Sequence, residues 1–322
     1  MGKALFMIGL HVKSGLIGTG AFGNNIFEVR KFQGGIQLDQ EMNYGSDYKY
    51  IPTTSIQSGM GLEVLPDLYC HTVQIVNICL VGNSRSEGFV LIDAGMPHSA
   101  DEIISTTEER FGENSRPEAI ILTHGHFDHV GAIIELVEHW QVPVYAHELE
   151  MPFLTGKKAY PEPDPTVEGG MVSKMSPIFP NEPIDLGNHI EMLPSDGSVP
   201  HMPEFQWIHT PGHAPGHVSF FREKDRALIA GDAFVTVKQE YLYKVLTQEQ
   251  EISGPPRYLT TDWKAAKESV KKLAALNPSV AVTGHGFPMF GEELSESLEE
   301  LILHFDSIAV PDYGKYVDKN LH

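Results

Sequence analysis

The sequence predicts an α/β layered fold, and three observations point there. Short apolar runs of strand length are interspersed with amphipathic helical stretches along most of the chain. Several of the apolar runs stop on a small residue beside a histidine or aspartate. At 322 residues, 41% of them hydrophobic, the chain can bury a substantial core in one large domain or two small ones.

The elements follow in order. Residues 1–58 are rich in Gly and Asn and poor in helical patterning, and they read as an N-terminal extension, flexible or hairpin-forming, ahead of a catalytic domain over 59–322. The apolar run Ala4 to Leu10 reads as a strand: it is short, His11 and Lys13 follow, and no signal-peptide cleavage site does. Gly18-Thr19-Gly20-Ala21-Phe22-Gly23 matches the dinucleotide pattern GxGxxG, but Asn24 to Arg30 reads as a turn and short strand instead of the required helix, so no nucleotide cofactor is expected. Val73, Ile75, Ile78 and Leu80 lie in a β-rich run, and Phe89 to Ile92 is a strand ending at Asp93-Ala94-Gly95. Helices are expected over 100–111 and from Gly131 to Trp140, with strands at Ala119 to Leu122 and Val142 to Ala146. Seven prolines between Pro152 and Pro183 break any long element in 151–205, so this Met-containing segment reads either as a loop over the site or as a packed structural loop. Strands return at Phe205 to Ile208, Val218 to Phe221, Ala227 to Ala230 and Val280 to Val282, and helices at 262–275 and 291–305.

Charge and cysteine usage narrow the function. With 23 basic residues against 43 acidic, the net charge of −20 repels a polyanion, which disfavours nucleic acid as a partner. Cys70 and Cys79 form no disulfide framework and read as two buried thiols. No stretch approaches the apolar length of a membrane span, so the chain reads as cytoplasmic with a small-molecule substrate, and an oligomer stays open.

The chemistry concentrates in Thr123-His124-Gly125-His126-Phe127-Asp128-His129. A cluster of neutral imidazoles is costly to bury without partners, whereas imidazole and carboxylate together are ligands for Zn, Fe or Mn. His124 and His126 alternate on a loop after a strand and can share one metal, while Asp128 and His129 can reach a second. Three later strand ends offer further ligands: Thr210-Pro211-Gly212-His213, Gly231-Asp232 and Thr283-Gly284-His285-Gly286. Asp93 reads equally as a group that orients a ligand histidine and as a strand-end cap.

The order HxHxDH, PGH, GD, GHG resembles the metallo-β-lactamase superfamily over roughly residues 61 to 310. The stretch from Gly254 to Tyr258 with Asp262-Trp263 is similar to a bacterial branch near glyoxalase II and lactonase-like enzymes. The resemblance implies a four-layer αβ/βα sandwich with two divalent metal ions, expected to be Zn2+ with Fe or Mn as alternatives, at one edge of its sheets. It implies that His124, His126 and His213 bind the first ion, that Asp128, His129 and His285 bind the second, and that Asp232 bridges them. A bridging hydroxide would attack the carbonyl of an ester, lactone or thioester, with Asp128 as the catalytic residue carrying a proton to the leaving group. A phosphodiesterase or nuclease on the same metals and an iron-dependent, persulfide dioxygenase-like enzyme are the alternatives.

The resemblance also sets expectations around the centre. Lactone-opening relatives carry a tyrosine where this chain has Val235. Glutathione-thioester hydrolases hold their anionic substrate with basic residues, for which Lys238, Lys244 and Arg257 are the candidates. His217 could pack behind the site, and Tyr241 and Tyr243 could reach the substrate or serve as wall or core aromatics. His209 reads as alternating away from His213, and His71, His98, His139, His147, His201 and His304 read as surface or packing residues.

Overall fold

The computed structural model describes residues 41–84, 88–168 and 170–318. The expected strand at Ala4 to Leu10, the glycine-rich run 18–23 and most of the 1–58 extension lie outside them.

Two sheets form the centre of the fold. The first contains β1 (Gly61–Leu65), β2 (Leu68–Val73), β3 (Val76–Val81), β4 (Val90–Ile92), β5 (Ala119–Ile121), β6 (Val144–Ala146) and β7 (Ile190–Met192), in that spatial order. Pairing is antiparallel from β1 to β4 and parallel from β4 to β7. The second contains β8 (Phe205–His209), β9 (Val218–Arg222), β10 (Ala227–Gly231), β11 (Val280–Thr283) and β12 (Met289–Phe290), with β10 and β11 parallel and the rest antiparallel.

Strand alternation sorts side chains into three cores. Val90, Ile92, Ala119 and Ile121 face Val218, Phe220, Ala227, Ile229 and Val282 between the sheets. On the other face of the first sheet, Leu80, Leu91 and Ile120 pack against Ile103 of α1 (Ala100–Phe111) and Ile133 and Leu136 of α2 (Ile133–Trp140). The short helices α3 (Met151–Leu154), α4 (Met171–Met175) and α5 (Leu242–Thr247) come next in the chain. On the outer face of the second sheet, Leu228, Ala230 and Ala281 meet Val270 and Leu273 of α6 (Trp263–Ala274) and Leu294, Leu298 and Leu301 of α7 (Gly291–Leu303). The order of layers is therefore helix, sheet, sheet, helix, the expected sandwich. Among the described residues no helix is long and apolar enough to cross a membrane. Cys70 and Cys79 are buried, free and opposite each other across β2 and β3.

The Pro-rich segment is less irregular than its composition suggests. It contributes α3, α4 and the edge strand β7, each too short to leave a periodic signature. Residues 41–58 lie beside the start of α2 and the β2–β3 turn: the Tyr44 hydroxyl accepts from Ile134 N at 3.1 Å, the Tyr48 hydroxyl donates to Gly131 O at 2.7 Å, and Gln74 Nε2 donates to the carbonyls of Ile51 and Thr53 at 3.0 and 3.1 Å.

Candidate metal centre

Four strand ends deliver the predicted residues to one place. The chain leaves β5 into His124, His126, Asp128 and His129, leaves β8 into His213, leaves β10 into Asp232 and leaves β11 into His285; all seven side chains are buried. Close approach requires glycine at two positions. A Cβ on Gly284 would lie 2.0 Å from Asp232 Oδ1, and Gly231 sits at φ +56°, where a Cβ would lie 2.7 Å from His217 Nε2.

The side chains form three overlapping groups whose ligand atoms lie within 4.8 Å of one another: His124, His126 and His213; His124, His129 and Asp232; and Asp128, His129 and His285. His126 Nδ1 is 2.9 Å from His213 Nε2, and His285 Nε2 is 3.3 Å from Asp128 Oδ2. Asp232 Oδ2 lies between the outer groups, 3.4 Å from His213 Nε2, 3.5 Å from His129 Nε2 and 3.4 Å from His285 Nε2.

Most of these imidazoles are fixed through the nitrogen facing away from the cluster. Asp93 Oδ2 accepts from His129 Nδ1 at 2.8 Å and from the Thr123 hydroxyl at 2.8 Å; that hydroxyl lies 3.0 Å from His124 Nδ1. Asp93 thus orients ligand-candidate histidines. His213 Nδ1 meets the Thr260 hydroxyl at 3.2 Å, and His285 Nδ1 meets Ile75 O at 2.9 Å. His217 packs behind the centre, with Nδ1 2.9 Å from the Thr210 hydroxyl and Nε2 accepting from Asp232 N at 2.9 Å.

Electrostatics divide the cluster in two. Burial, with neighbouring imidazoles, holds His124 and His213 well below the usual histidine pKa, and burial pushes His126 down to about 4. These are neutral donors. Burial also opposes charge on His129 and His285, but the carboxylates outweigh it: Asp232, Asp93 and Asp128 raise His129 well above its usual value, and Asp232 and Asp128 push His285 up to about 10. The second group therefore carries an excess of negative charge that needs a cation, a proton or a metal.

The site passes a direct test of fit to metal ions. His124 Nε2, His129 Nε2, Asp128 Oδ1 and Asp232 Oδ1 are buried without hydrogen-bond partners, and each such group costs about 1–3 kcal/mol unless something satisfies it. Divalent ions would satisfy all four with a nitrogen and oxygen donor set suited to Zn, Fe or Mn.

Several functional residues escape sequence reasoning. Glu150 is wholly buried; its Oε2 accepts from Gly125 N at 3.0 Å and its Oε1 from Gly216 N at 2.7 Å, tying the His124–His126 loop to the loop after His213. The Tyr160 hydroxyl donates to Glu150, and its ring packs 4.5 Å from that of His126. A lone acid and a lone tyrosine in a Pro-rich stretch carry no sequence signal. Tyr258, inside a quoted motif, lines a cavity that reaches the centre.

That cavity, of about 670 Å³, opens onto Asp128. Its lining side chains come from residues 49–53, from parts of 171–179 and α5, and from Ile75, Met96, Phe127 and Tyr258; among these lining residues Lys49 is the one basic side chain. Lys238 pairs with Glu251 at 2.6 Å, Lys244 pairs with Glu251, and Arg257 pairs with Glu168 at 2.8 Å, so these three cations are engaged elsewhere. Tyr241 and Tyr243 are exposed and do not line the cavity. Val235 is buried, with its backbone bridged to Ser253.

A family model described as the metallo-beta-lactamase superfamily matches residues 71–285. Over 260 residues the chain is 51% identical to the probable metallo-hydrolase YflN of Bacillus subtilis (strain 168), covering 80% of this chain and 98% of that one. It is 24% identical over 237 residues to the hydroxyacylglutathione hydrolase GloC of Haemophilus influenzae, covering 73% of this chain and 95% of that one. Among solved structures, the metallo-beta-lactamase family protein TTHA1429 from Thermus thermophilus gives a TM-score of 0.51 at 20% identity, covering 76% of this chain and 81% of that one; this is a likeness of fold.

Proposed function

Because the chain belongs to the metallo-β-lactamase superfamily, we propose that it is a dinuclear metal-dependent hydrolase of a carbonyl ester, lactone or thioester of a small molecule. The observation that carries this reading is the junction of Asp128 with an apolar cavity holding a single basic residue. A polynucleotide carries a charge on every phosphate and would leave those beyond the reacting one short of partners there; an uncharged carbonyl compound would not. The likeness to a relative named hydroxyacylglutathione hydrolase points the same way.

His124, His126 and His213 would hold one ion, Asp128, His129 and His285 the other, with Asp232 between them. Bound there, divalent ions supply Lewis acidity and bring the pKa of a water to about 7. Asp93, Thr123, Thr260 and the Ile75 carbonyl hold the imidazoles in register before substrate arrives. Burial favours a neutral Asp128, but His129 and His285 outweigh it and keep the carboxylate ionised, so it can take a proton and pass it to the leaving group on the cavity side. Burial and the nearby Asp128 charge keep Tyr258 protonated, which makes it a donor for the substrate carbonyl oxygen.

The test is a panel of lactones, thioesters, β-lactams and phosphodiesters assayed on metal-loaded protein, with His124→Ala as control. Turnover of a carbonyl substrate that disappears in His124→Ala is expected. Turnover that survives in metal-free protein, or is confined to phosphodiesters, contradicts the proposal.

A further inference from the structure

We infer that the cavity beside Asp128 is a binding site for a straight acyl chain, oriented with its reacting carbonyl at the Asp128–Tyr258 end. The reacting end rests on the hydrolase reading above; the chain-binding wall does not.

Size, polarity and direction lead to this ligand. At about 670 Å³ the cavity matches sites that take whole small molecules, not a water or an ion. Its polar groups are unevenly placed. Asp128 and Tyr258, each 4% exposed, mark the inner end beside the metal centre. Between that end and solvent the wall is mostly aliphatic, methionine and phenylalanine side chains, with Lys49, Tyr50 and Thr53 as its other polar groups. Met171 at 57%, Ile178 at 50% and Leu246 at 37% exposure then stand in water along the outer rim. Large apolar side chains from separate segments, left wet around one cavity, are an apolar ligand surface. A compound polar along its whole length would leave groups without partners against Ile75, Met96, Val172 and Val245. A compound with one polar carbonyl and an apolar tail would satisfy the inner end and cover the rim. A tail lying against Met171 and Met175 meets flexible thioethers that adapt to its shape.

The experiment uses the full chain in two states. In metal-loaded protein, kcat/KM is measured over p-nitrophenyl esters with acyl chains of about 2 to 12 carbons, and each added methylene should raise it about fourfold until the cavity is filled. In metal-free protein, calorimetry should show binding of uncharged decanamide. Ile178→Asp changes a half-exposed rim residue and should fold; it should lower kcat/KM for the decanoyl ester at least about tenfold more than for the acetyl ester and abolish decanamide binding. A flat chain-length profile without decanamide binding overturns this inference and leaves the hydrolase reading standing. Decanamide binding without turnover of any ester, lactone or thioester keeps the acyl site and removes the hydrolase reading. If Ile178→Asp instead converts an oligomer to a monomer and leaves the chain-length slope unchanged, the rim is a contact between copies and the inference falls.

Discussion

The metal centre and the cavity wall meet at Asp128 yet are built on opposite principles. The centre sits on the ends of β5, β8, β10 and β11, and most of its imidazoles have the outer nitrogen tied to a carboxylate, hydroxyl or carbonyl. The wall comes from residues 49–53, α4 and α5, short pieces outside both sheets, and its outer side chains stand in water. Rigid sheet edges hold the groups proposed to bind metal, and peripheral segments hold the groups proposed to meet the substrate. Substitutions in the first region should therefore act on every substrate alike, and those in the second on some substrates only.

The largest effect should come from the support of the centre. Asp93→Ala removes the acceptor for His129 Nδ1 and the Thr123 hydroxyl, and about a 10- to 100-fold loss in metal affinity is expected, measured by chelator competition. Unchanged affinity would mean that the histidines are held without it.

Acid should expose the rigidity of the same region. Burial pushes His217 down to about 3 from an ordinary 6.5, so between these values the unfolded chain binds a proton that the native protein refuses. The native state is stabilised above pH 6.5 and loses that stability as pH falls toward 3, at about 1.4 kcal/mol per pH unit. Urea unfolding between about pH 6.5 and pH 4 should show a shallower slope in His217→Gln than in the native protein, and equal slopes would contradict this assignment.

The smallest effect belongs to the wall. Leu246→Ala, at a part-exposed rim position, should raise KM for long-chain esters about fivefold while metal content stays the same. A change in metal content would erase the distinction between the two regions.

The two regions also differ in how well the sequence reveals them. The strands beneath the centre are continuous apolar runs because both of their faces are covered, and the helices α1, α2, α6 and α7 each bury one periodic stripe. Each run ends where chemistry begins, so His124, His213, Asp232 and His285 stand out beside glycine or threonine. The wall has no such grammar. Helix α4 has five residues and α5 six, too few to display a period. Glu150 owes its importance to two backbone amides far from it in sequence, and Tyr258 owes its importance to proximity that only the fold creates.

The central claim is that this cluster holds two ions and that each histidine group serves one of them. Metal content per chain, measured by mass spectrometry after equilibrium dialysis against Zn2+, tests it most directly in the native protein, His213→Ala and His285→Ala. The account predicts two equivalents in the native chain and about one in each variant, since each substitution removes a ligand from one group and leaves the other whole. A single equivalent in the native chain, or two equivalents retained in both variants, would contradict it.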